Sequence, residues 1–261
     1  MKNCFLCTLI SVSLTVSFAK ADGHETFTGG LDPNAPINMQ INVCTLKPGK
    51  TQAQYDRLVN KYFEWAKKYD VETTTARQIP FLTHANPDNP NNYDFIDLHV
   101  SDFETAGKGW DLWMSTPDGQ KLNEEWLSLA SCDIKMAALN MQWAKVDELN
   151  SDDERIVVWN WCSKKEGVSS EQLIAKHDSI AEEYSDGLGN IGWATFHPII
   201  GGANAPGNFA HIVVYPDMKG LMEHQEWFAG GGWKARSDYH IYAECRGDEA
   251  FVETIMNRPG S

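Results

Sequence analysis

The chain has 261 residues, with 36 Asp and Glu against 22 Lys and Arg, a formal net charge of −14. So acidic a balance argues against nucleic acid or an anionic membrane as partner, since both are held mainly through cations. The first 21 residues read as an export signal. Lys2 supplies the positive end, Phe5 to Phe18 is mostly apolar or small, and Ala19-Lys20-Ala21 suits a small-x-small cleavage site. The expected mature protein is periplasmic or secreted and starts near Asp22, with a flexible segment over residues 22–35.

The predicted elements follow in order. Ile37 to Thr45 alternates apolar residues with Asn and Gln, the period of a strand. Thr51 and Gln54 form an S/T-x-x-Q capping box. Behind it Tyr55, Leu58, Val59, Tyr62, Phe63 and Ala66 keep helical spacing. Thr73 to Leu82 reads as a second strand, and Tyr93 to Val100, after a Pro/Asn-rich loop, as a third. Phe103 to Met114 is a helix, and Pro117 opens a short one. Met136 to Val146 is the fourth strand.

The second half repeats the first. Cys44, Thr51, Gln54 and Pro80 match Cys162, Ser169, Gln172 and Pro198 at an offset of 118. The offset then drops to 114 for Phe95 with Phe209 and Trp113 with Trp227, and to 113 for Cys132 with Cys245. A collinear series of this kind indicates two homologous units, 36–148 and 154–258, joined by an acidic linker, 149–153. Gly230 to Gly232 lacks a phosphate-loop pattern and reads as a break between helices. The order β-α-β-β-α-β in each unit predicts an α+β fold of two tandem ferredoxin-like repeats.

In that topology the first and fourth strands are antiparallel neighbours. Cys44 would then meet Cys132, and Cys162 would meet Cys245, as disulfides suited to an exported protein. A metal site is the rival reading, weakened by the lack of C-x-x-C spacing.

Two such units in one chain resemble a fused form of the dimeric α/β-barrel superfamily. That group includes antibiotic-biosynthesis-type monooxygenases, EthD-like and NIPSNAP-like proteins, and haem-binding chlorite dismutase relatives. The resemblance covers nearly the whole mature chain and is architectural. It implies a pseudo-dimeric barrel of two sheets with helices outside. It also implies a ligand cavity, either inside the barrel or between a sheet and its helices.

Strand parity sorts the candidate residues. Ile96, Leu98 and Val100, with Met39, Ile41 and Val43, are assigned to the helix side, as are Trp159 and Trp161. Gln40, Asn42, Asp97, His99, Asn160, His211 and Tyr215 then fall inside the barrel. So polar an interior is either a ligand cavity or a self-satisfied interface between the sheets. Asp97-x-His99 places a carboxylate beside an imidazole. The pair reads as a general base with its orienter, as half a metal site, or as a structural pair. His99 or His211 is the candidate base, Asp97 its orienter, and Asn42 and Asn160 donors to a developing oxyanion.

Arg77, Trp193 and His197 complete the candidate ligand contacts. His177, on the second unit's first helix, packs on the sheet or, in a haem-binding relative, holds the iron. No cofactor is expected, with haem the alternative. The expected ligand is a small organic molecule, and the chain acts as a monomeric pseudo-dimer or a homodimer. The functional readings are a cofactor-independent oxygenase-like or acid–base enzyme, a non-catalytic ligand- or haem-binding module, and a structural or stress-related protein.

Overall fold

The structure, a computed structural model, describes residues 25–83, 93–184 and 188–260. The expected export signal and most of the Pro/Asn-rich loop lie outside the described residues. The first unit runs β1 (Ile37–Leu46), α1 (Gln52–Tyr69), β2 (Thr74–Leu82), β3 (Phe95–Ser101), α2 (Phe103–Ser115), α3 (Pro117–Leu129) and β4 (Ala130–Ala144). A short α4 (Val146–Ser151) leads into the second unit. That unit comprises β5 (Glu154–Lys164), α5 (Ser170–Tyr184), β6 (Gly192–Ile200), β7 (Phe209–Tyr215), α6 (Met218–Trp227), α7 (Trp233–Tyr239) and β8 (Ala243–Asn257).

All eight strands join antiparallel neighbours in one closed barrel, in the order β1-β3-β2-β8-β5-β7-β6-β4. Each unit contributes four strands, and the seams lie at β2–β8 and β4–β6. Closure leaves no strand edge open to unwanted pairing.

Both capping boxes form. Thr51 and Gln54 satisfy each other's backbone N–H at the start of α1, and Ser169 with Gln172 does so before α5. Both disulfides are present, Cys44–Cys132 and Cys162–Cys245. Cys132 stands within β4, opposite Cys44, rather than ahead of it, because α3 runs directly into the strand. The glycine run forms a π-turn over Phe228–Gly232 between α6 and α7, where Gly231 takes φ 135°, a backbone angle closed to other residues.

The face assignment from parity is reversed. Met39, Ile41, Ile96, Leu98, Trp159, Phe196 and Ile212 fill the barrel as one apolar core, and Val43, Val100 and Trp161 pack against it. Phe95 packs instead with Tyr55, Leu58 and Trp65 of α1, and Phe209 with Leu173 of α5 and Tyr239 of α7. Asp97, His99 and His211 share that outer side, under the helices. The physical reason is closure: eight strands leave an interior just wide enough for side chains and cut off from water, so the more apolar parity turns inward. The layer beneath the helices can open between them and tolerates polar groups.

One polar chain does cross the interior, and it is satisfied. Trp159 Nε1 donates to Gln78 Oε1 at 3.0 Å, Gln78 Nε2 donates to Glu253 at 2.6 Å, and Glu253 pairs with Arg155 at 2.7 Å. Residues before β1 lie on the same barrel. Leu31 is in the core cluster, and Thr28 donates from its backbone to Asn150 of α4.

Candidate functional site

The polar residues singled out in the sequence divide between two cavities, one under the helices of each unit. The first, about 120 Å³, takes Gln40, Asn42, Asp97 and His99. The second, about 590 Å³, takes Asn160, Trp193, His211 and Tyr215. Asp97 and His211 therefore never meet. A third void, about 130 Å³ and inside the barrel, is lined mainly by apolar residues such as Met39, Leu98 and Val157.

In the first unit Asp97 is occupied. Arg77 Nε and Nη2 donate to its two oxygens at 2.7 and 2.9 Å, and Arg77 Nη1 reaches Asp56 at 2.5 Å. Burial disfavours the guanidinium charge, but these bonds outweigh it and raise the Arg77 pKa. Asp97 is thus the counter-ion of a buried arginine rather than the orienter of His99. His99 Nδ1 instead lies 3.3 Å from Thr75 Oγ1, and burial holds the ring neutral by lowering its pKa. Trp110 Nε1 donates to Gln40 Oε1 and Gln40 Nε2 to Asn42 Oδ1, both at 2.9 Å.

In the second unit a hydrogen-bonded chain runs from β6 to α5. Trp193 Nε1 donates to His211 Nδ1 at 3.0 Å. An indole nitrogen only donates, so His211 Nδ1 accepts and its proton sits on Nε2. That N–H meets the Tyr239 hydroxyl at 2.9 Å, and the hydroxyl donates to His177 Nε2 at 2.8 Å. Each direction follows from the one before. Burial is the main reason both imidazoles stay neutral, with their pKa values lowered to about 3 for His211 and about 4 for His177. Burial likewise raises the pKa of Tyr239.

The remaining wall comes from α6 and α7. His224 Nδ1 bonds the Tyr215 hydroxyl at 3.0 Å. Arg236 pairs with Asp248 at 2.6 Å, and Asp248 also accepts from Asn160 Nδ2 at 2.7 Å. α6 seats this close because Gly220 and Gly189 touch; a Cβ on Gly220 would lie 2.5 Å from the Gly189 carbonyl oxygen. His177 packs on the sheet as its spacing suggests. His197 stacks on Phe209 and lines neither sheet–helix cavity.

Cys162, His211 and Cys245 converge within 4.8 Å, a metal-like set, but both sulfurs are consumed in the disulfide. Tyr239, His224 and Arg236 escaped the sequence reading because they sit on helices flanking the glycine break, where periodicity gives only a packing role. The offset of 114 did hold a signal: it sets His224 at the position of Trp110.

The barrel fold is shared with a solved structure. A presumed chlorite dismutase aligns with a TM-score of 0.51 at 12% identity, over 85% of this chain and 96% of its own. The chain has the dimeric α/β-barrel fold. A presumed monooxygenase from Fusobacterium nucleatum aligns over 87% of this α/β-barrel chain and 95% of its own, at 12% identity and TM-score 0.48. An anthrone oxidase-like protein aligns over 87% and 94%, at 8% identity and TM-score 0.49. Identities this low speak for the fold alone. No family model and no curated protein matches the sequence.

Proposed function

We propose that this α/β-barrel binds a small organic molecule in the second-unit cavity and removes a proton from it, as an acid–base or cofactor-independent oxygenase-like enzyme. The supporting observation is the directed chain His211–Tyr239–His177, which begins at the cavity wall and ends at a buried imidazole. A substrate hydroxyl beside Tyr239 would give its proton to the phenol oxygen while Tyr239 passes its own to His177 Nε2. The His177 pKa of about 4 makes this unfavourable in the empty site. A substrate anion formed one hydroxyl away, near Arg236, would raise it by charge pairing in a low-dielectric setting. An enol or phenol of one to three rings suits a cavity of about 590 Å³ with a largely aromatic and apolar wall. Two disulfides fit a protein that works outside a reducing compartment, periplasmic or secreted.

The test is turnover and binding with hydroxylated aromatics. Tyr239→Phe keeps the ring and cuts the relay, so turnover should fall about 100-fold or more with binding retained. Unchanged turnover in Tyr239→Phe and His211→Ala would end the proposal.

A second reading is haem binding in the same cavity, and His224 is the reason for it. Its Nδ1 is anchored by Tyr215, while its Nε2 has no hydrogen-bond partner among the described residues. Metal-ligating histidines are commonly held this way. His224 would hold the iron and Arg236 would meet a propionate. The group would supply one-electron and dioxygen chemistry. A Soret band that His224→Ala removes would favour this reading over the first.

A further inference from the structure

The cavity of the first unit plays no part in the chemistry above, yet it holds polar groups that lack partners. Asn38 is 3% exposed and lines the cavity, and its carboxamide forms no hydrogen bond among the described residues. His99 bonds through Nδ1, and its Nε2 has no hydrogen-bond partner among the described residues. Trp65, 5% exposed, also carries an unbonded indole N–H among the described residues, though that atom is closed off from the cavity. Buried polar groups are nearly always paired, so this cluster marks a place built for another molecule.

We propose that this cavity binds one uncharged ring bearing a hydroxyl group, of the phenol class, independently of the second-unit site. Size sets the ring count, since an apolar cavity of about 150 Å³ accepts benzene and this one is about 120 Å³. Charge sets the class. Among the described residues, Asp97 is the one carboxylate in the lining, Arg77 holds both of its oxygens, and no Lys or Arg lines the space. A charged ligand would be desolvated there without a counter-ion. The walls are aromatic: Trp113 packs edge-on against Trp65 at 5.3 Å and against Tyr62 at 6.0 Å. The floor offers Asn38, able to donate and accept, and His99; a hydroxyl satisfies both kinds of group.

The second unit cannot bind the same molecule in the same way. At the offsets of the repeat, Ile156 stands where the first unit has Asn38, Val158 where it has Gln40, and Val213 where it has His99. The ladder supports this, since Gln40 pairs with His99 and Val158 with Val213.

Calorimetric titration of the full chain with phenol, cyclohexanol, benzene and benzoate tests the proposal. Phenol should bind, cyclohexanol and benzene more weakly, and benzoate at least tenfold more weakly. Asn38→Ala should weaken phenol tenfold or more, and Ala106→Leu, which fills the space from α2, should remove that binding event. Both variants should keep the wild-type circular dichroism. Ala235→Leu, which fills the second-unit cavity from α7, should leave the phenol binding event of the first cavity unchanged. The proposal falls if phenol does not bind, if Asn38→Ala and Ala106→Leu both bind it as wild type does, if Ala235→Leu alone removes it, or if benzoate binds as tightly.

Discussion

Asp97 and His211 occupy one and the same position in the two repeats. Asp97 is the ladder partner of Asn42 on β1 and of Arg77 on β2; His211 is the partner of Asn160 on β5 and of Thr195 on β6. Both side chains point under the helices. The shared position is an ion-pair anchor in one unit and a member of a hydrogen-bonded chain in the other. Fold and chemistry parted at a single ladder site.

Removing the anchor should be costly. Asp97→Ala leaves Arg77 buried with only the half-exposed Asp56, and breaking a buried pair from one side costs about 3–5 kcal/mol. Urea unfolding of this variant beside Asp56→Ala should show the larger midpoint shift for Asp97.

Acid should destabilise the protein well before its carboxylates titrate. His177 and His211 have folded pKa values of about 4 and about 3, against the ordinary 6.5. Between pH 6.5 and 4 the unfolded chain binds protons that the folded chain refuses, so stability falls as pH falls. Each histidine contributes up to about 1.4 kcal/mol per pH unit across that window, and nothing further above it. Denaturant melts from pH 8 to 4 should show this slope, and His211→Phe with His177→Leu should reduce it, leaving the part from His99, His197 and His224, whose pKa values burial also lowers.

The inverted faces make a separate prediction. Ile41→Ala opens a hole in the closed barrel and should cost about 2–5 kcal/mol. Its neighbour Gln40→Ala loses the bonds to Trp110 and Asn42 beside an existing cavity, about 1–2 kcal/mol. Equal losses would mean that the interior side is wrongly assigned.

Each disulfide closes more than 80 residues, with separations of 88 and 83. In the chain-entropy model such a loop contributes about 4–5 kcal/mol. Cys44→Ala with Cys132→Ala should therefore lower Tm by about 8–20 °C, at about 2–4 °C per kcal/mol for a chain of this size. Differential scanning calorimetry with and without reductant checks it.

The linear sequence settled the architecture of this protein by itself. The stepped offset between halves, the paired capping boxes and the cysteines at strand junctions each depend on local chemistry, which a repeat displays twice. It also named several of the strand residues that line the cavities, among them Asp97, His99, Asn160 and His211. What it left to the tertiary structure was their direction. Period-two alternation separates two faces of a strand but does not say which one a barrel encloses. That choice came from closure, which excludes water from the inside and so drew in Leu98, Trp159 and Ile212, leaving Asp97 and His211 beneath the helices. Only there could Tyr239 and His224, unmarked by any motif, meet His211 and Tyr215 on the strands.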